Sequence, residues 1–137
     1  MINILIPIAP VTKKNHGTIK VRSGKPLMLP SKQYRQYESD AGWFLKDYAG
    51  MNITKPVNIK CLFYMPTKRV VDLPNLLNAI DDVLVHYNVI EDDNRDIVAT
   101  HDGSKVLYDK ENSRTEIEIT FLEGYEQWKK RTWRKGY

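Results

Sequence analysis

The chain has 137 residues, with 21 Lys and Arg against 17 Asp and Glu, and a net charge of +4 with the histidines neutral. That length makes one domain with a single core, and the mild positive charge is compatible with a polyanionic partner without requiring one. A single cysteine excludes an intramolecular disulfide. Cys61, inside the apolar run 57–65, reads as a buried thiol in a reducing compartment, so the protein is expected in the cytoplasm.

Residues 2–8 are rich in β-branched side chains and closed by Pro7 and Pro10, which predicts a first strand. The run is too short for a bilayer and no basic stretch precedes it, so neither a membrane span nor a signal peptide is expected. Residues 11–31 carry five Lys/Arg and two Gly and read as a basic loop with a loose hairpin over 18–29. Ser31 can cap a first helix, in which Tyr34, Tyr37, Ala41, Phe44, Leu45 and Tyr48 share one face. Trp43 falls roughly 180° from that stripe. It is either a dimer contact or base-stacking position, or a partly covered surface ring.

A second strand is predicted over 56–64 and a second helix over 74–87, started by Pro74. Leu76, Leu77, Ile80, Val83, Leu84 and Tyr87 form its apolar face, and Asn75, Asn78, Asp82 and His86 line the other side. Residues 96–100 and 114–122 have strand character, the latter by strict alternation. The order β-α-β-α-β-β predicts an α+β fold with two helices packed on one mixed sheet. The division is a 1–122 domain followed by a 123–137 tail, where five Lys/Arg alternate with Tyr125, Trp128, Trp133 and Tyr137. Such a mixture can pair phosphates and stack bases, or dock as a short amphipathic helix.

The window 69–96 concentrates acid in a basic chain: Asp72, Asp81, Asp82, Glu91, Asp92, Asp93 and Asp96 all lie in it. Phosphodiester hydrolysis at neutral pH needs a nucleophilic hydroxide and a charge clamp on the leaving oxygen, and Mg²⁺ held by a few carboxylates supplies both. Asp72 precedes the second helix and the pair Asp92-Asp93 follows it. A strand-helix-strand path of this length can return beside its start, so these carboxylates can converge. By itself a DD pair is more often a solvated turn or a cap.

From Asp72 onward the segment D-L-P-N-L-L-N-A-I-D-D-V-L-V-H-Y-N-V-I-E-D-D-N resembles the RusA family of Holliday junction endodeoxyribonucleases, whose pattern is D-x-D-N-L-x-K, then D-x-L, then D-D. The likeness extends upstream to P-I-A-P-V-T-K-K-N and P-S-K-Q-Y-R-Q-Y, covering most of residues 4–121. Asp72, Asn75, Asp82, Asp92 and Asp93 match. The resemblance implies that these aspartates bind Mg²⁺, with Mn²⁺ as the alternative, and that a homodimer acts on branched DNA such as four-way junctions. Two positions depart from the pattern. Pro74 stands where the family has a second aspartate, and Asn78 stands where it has a lysine expected to help with phosphate charge.

Other chemistries lack their motifs. His16, His86 and His101 have no metal-ligand spacing, and they read as surface or cleft residues. No phosphate-binding glycine loop or nucleophile elbow occurs. Two readings remain. In the first, the protein is an endonuclease in which Asp72, Asp92 and Asp93 are catalytic and metal-binding and Asp82 supports them. Asn75 and Asn78 flank the metal, and Lys13, Lys14, Arg69 and Lys105 meet the DNA. In the second, it is a junction-binding protein that has lost catalysis through Pro74 and Asn78. Asp81, Glu91 and Asp96 are expected to be surface charges.

Overall fold

A computed structural model describes residues 1–13, 18–22, 24–29 and 31–125, with the backbone alone for 18–22 and 25–29. Lys14, His16 and the aromatic tail beyond Tyr125 lie outside the described residues. The elements run β1 (Ile2–Ile6), β2 (Thr18–Arg22), β3 (Lys25–Leu29), α1 (Lys32–Phe44), β4 (Val57–Met65), α2 (Leu73–His86), β5 (Val98–Thr100), β6 (Lys105–Tyr108) and β7 (Arg114–Phe121). This is the expected α+β class, with two helices and a mixed five-stranded sheet. The hairpin at 18–29 is present as β2 paired with β3. β6 was not foreseen, because K-V-L-Y is short and bounded by turns.

The sheet order is β1-β7-β4-β5, and β6 also pairs with β4. The last strand therefore lies between the first and the fourth. β7 is antiparallel to both neighbours, while β5 and β6 are parallel to β4. Alternation along the strands sends Ile4, Ile6, Val57, Ile59, Cys61, Phe63, Ile117 and Ile119 into the core. The helices supply the other half. α2 buries Leu76, Ile80, Val83 and Leu84, each contributing about 1.5–3 kcal/mol relative to exposure. α1 buries Tyr34, Tyr37 and Ala41, followed by Leu45. Phe44, expected on this face, is exposed because the helix ends there. Trp43 is 69% exposed, with Lys46 Nζ 3.8 Å above its ring.

Both helix starts follow their sequence cues. Ser31 Oγ accepts from the Tyr34 N–H at 3.1 Å, satisfying an otherwise orphaned donor. Pro74 sits in the first turn of α2, where its missing N–H costs nothing. No helix among the described residues is long and apolar enough to cross a membrane.

Candidate active site

The end of α2 determines where the acidic pair goes. Asn88 adopts the left-handed conformation, φ 56°, which asparagine tolerates better than most residues. Its N–H donates to the Val85 carbonyl at 3.0 Å and that of Val89 donates to the Leu84 carbonyl at 2.9 Å. Together these bonds form the reversing motif that closes many helices. The chain then runs back across the helix, held by Ile53 N–H to Val89 O at 3.0 Å and Glu91 N–H to Ile53 O at 3.0 Å. This return brings Asp93 to the polar face of α2.

There Asp93, Asn75, Asn78, Asp82 and Lys13 line one cleft of about 310 Å³. Asn75, Asn78 and Asp82 follow one another at helical spacing along α2. Lys13 arrives from the segment after β1, and its Nζ donates to Asp82 Oδ2 at 2.5 Å. Asp93 carries the electrostatic mark of the site. Partial burial, together with the neighbouring Asp92 and Asp82 carboxylates, holds its carboxyl above the usual range.

The other predicted residues are placed as follows. Asp72 precedes α2 but makes no side-chain cap bond. It instead accepts from Asn75 Nδ2 at 3.3 Å, one hydrogen bond from the cleft. Asp92 turns toward its own loop, accepting from the Asp93 N–H at 2.7 Å and from Asn94 Nδ2 at 3.2 Å. Those bonds, the Asp93 N–H foremost, lower its pKa. Arg69 lines a neighbouring groove with Val11, Thr12 and Leu76. Lys105 is exposed on β6, opposite Leu62.

Asp81 corrects an expectation. It is 5% exposed rather than a surface charge. His101 Nε2 lies 2.9 Å from Asp81 Oδ2, and His101 Nδ1 lies 2.8 Å from the Ile59 carbonyl oxygen. With Asp81 ionised both ring nitrogens face acceptors, an arrangement that the imidazolium satisfies. Burial pulls the His101 pKa down, but the Asp81 carboxylate and the Ile59 carbonyl outweigh it and raise the pKa above the ordinary value. Burial raises the Asp81 pKa, partly offset by His101. Asp81 Oδ1 has no hydrogen-bond partner.

The pair exists because β5 and β6 share one edge of β4 and leave a gap between them. At the gap, Ile59 O is met by His101, and the Cys61 N–H donates to Ser104 Oγ at 3.0 Å. Side chains thus satisfy backbone groups that an unbroken ladder would have paired. A cue for Asp81 was present in the sequence: it stands four residues after Leu77 and three before Leu84, on the apolar stripe of α2.

The family profile described as endodeoxyribonuclease RusA matches residues 7–120. The chain belongs to the RusA family. No curated protein matches it. RusA membership makes the protein an endodeoxyribonuclease of the Holliday junction resolvase class, and RusA resolvases depend in general on a divalent metal.

The cleft can be tested against that requirement. Among the described residues no group of three His, Cys, Asp or Glu is placed to hold a metal ion. Mg²⁺, however, keeps several waters and is commonly bound through one or two carboxylates plus substrate phosphate. Asp82 and Asp93 are two such carboxylates, and Asn75 and Asn78 line the same cleft with amide oxygens that are also hard donors. Burial, with the Asp92 and Asp82 carboxylates next, disfavours the charge on Asp93, and a divalent cation would offset that cost. On this donor chemistry the RusA cleft fits a hard divalent ion.

Proposed function

We propose that the protein is a Mg²⁺-dependent, structure-selective endonuclease that resolves four-way junctions or related branched DNA in recombination and repair, in a reducing cytoplasm. The observation that carries this reading is the cleft in which Asp93 and Asp82 face Lys13 and two asparagines within a RusA-family chain. Asp82 and Asp93 are the proposed metal-holding pair. Asp72 at the rim and Asp92 in the adjoining loop are the remaining proposed carboxylates, with Mn²⁺ as an alternative metal. When bound, the ion supplies an activated water and stabilises charge on the leaving oxygen. Asn75 and Asn78 offer amide hydrogen bonds to water or phosphate, and Arg69, Lys105 and Lys14 are proposed to contact the DNA backbone.

A second reading, junction binding without cleavage, is favoured by Pro74 and Asn78 and by the absence, among the described residues, of three His, Cys, Asp or Glu side chains placed together to hold a metal ion. A synthetic four-way junction incubated with and without Mg²⁺ separates the two. Paired nicks that appear only with the metal are the expected result. Retention of the junction in a gel shift without any nick would establish the second reading.

A homodimer is also proposed. Two matched nicks on a nearly two-fold junction need two sites related by an isologous interface. Exposed Trp43, Phe44 and Met51 support the presence of apolar surface for such a contact. Sedimentation equilibrium at micromolar concentration is expected to give twice the 16.0 kDa chain mass. A single species at the chain mass would leave paired nicking without its second site.

A further inference from the structure

The Lys13–Asp82 pair sets an ammonium on a carboxylate that the proposed reading gives to a metal. Nζ donates at 2.5 Å to Asp82 Oδ2, and the two side chains remain 41% and 35% exposed. Water and a competing cation can therefore reach both. The Tyr34 ring lies 5.5 Å from Nζ, which adds a weak cation–π attraction. Among the described residues that line the cleft, Lys13 is the only cation, and it faces two carboxylates. A phosphodiester entering here brings a further negative charge.

A divalent ion on Asp82 crowds the ammonium, because whether it takes Oδ2 itself or Oδ1 of the same carboxylate the two cations become close neighbours. The divalent ion carries twice the charge and repels the ammonium at contact distance. The lysine stem is flexible over four carbons, so its head can relocate by rotamer change alone.

We propose that Lys13 is a displaceable cation of the nuclease cleft: it pairs with Asp82 while no divalent ion is bound, and moves to the phosphate of the substrate when a divalent ion takes Asp82. The inference rests on the nuclease reading for its substrate, but its first step, competition at Asp82, stands on the geometry alone. Before loading, Lys13 keeps the carboxylates partly compensated. After loading, the same charge becomes available to DNA.

Lys13→Gln tests the proposal, and the half-exposed position means that the variant should fold with an unchanged melting temperature. Titration calorimetry with Mn²⁺ is expected to show binding about two- to five-fold tighter than in the unaltered protein, since the competitor is gone. Junction affinity in EDTA should change less than about two-fold, because Lys13 is then engaged with Asp82, yet fall about five- to ten-fold in Ca²⁺. Cleavage in Mg²⁺, read as kcat/KM, should drop about a hundredfold, the usual effect of removing one positioned charge donor. Unchanged or weaker Mn²⁺ binding would overturn the displacement, as would an equal loss of junction affinity in EDTA and Ca²⁺. If the unaltered protein leaves junctions uncut, the nuclease reading fails, while the metal-binding and Ca²⁺ measurements still decide the role of Lys13.

Discussion

Asp93→Asn is expected to reduce junction cleavage at least about a thousandfold, roughly 4 kcal/mol of transition-state stabilisation, while leaving junction binding intact or tighter. The physical reason is the double position of this carboxylate. It lines the cleft with Asp82 and Lys13, so removing its charge removes one of two proposed metal-holding groups. It also repels phosphate, so removing its charge favours DNA. Single-turnover cleavage and gel-shift titration on one synthetic junction measure both effects. Weaker binding by the variant would sink the assignment, because a residue that only held the loop in place would lose affinity together with activity.

The second large effect concerns stability. His101→Ala is expected to cost about 3 kcal/mol, because it leaves Asp81 buried without its partner, a large share of the roughly 5–15 kcal/mol by which domains are stable. Urea unfolding measures it. Asp81→Leu combined with His101→Leu should recover most of the loss, since replacing both members of a buried pair removes the unpaired charge. A double variant as unstable as His101→Ala would instead place the cost in packing. The sign of the pH dependence follows from the shifts. His101 has a raised pKa in the folded state, so its contribution is complete below the unfolded value of about 6.5 and is lost as pH rises through the folded value. Asp81, also raised, acts in the same direction at lower pH. Stability should therefore decline from pH 6.5 upward, and His101→Gln should flatten that decline.

Much of the fold was readable because the segments obey simple periods. α2 announced its polar face through Asn75, Asn78 and Asp82, and the structure places those three in one cleft. The N-cap at Ser31 and the exposure of Trp43 followed from the same spacing. The Lys13 contact with Asp82 was not readable, since a charge 69 residues away in sequence meets the helix only through tertiary packing. The Asp81–His101 pair was missed for a related reason. Its cause is the gap between β5 and β6 on the edge of β4, and β6 is a four-residue strand with no alternation of its own. The resemblance to RusA supplied the candidate acidic residues, while local chemistry had to supply Asp81 and the placement of Lys13.

The placement of β7 in the sheet bears on how the protein comes into being. Because β7 separates β1 from β4, a chain emerging from the ribosome carries the single strand β1 and the β4–β5–β6 fragment with no strand pairing between them until about residue 121 is made. Non-local closure of this kind is slow relative to helix formation. Loss of residues 114–121 by an early stop would remove the middle of the sheet rather than a dispensable edge.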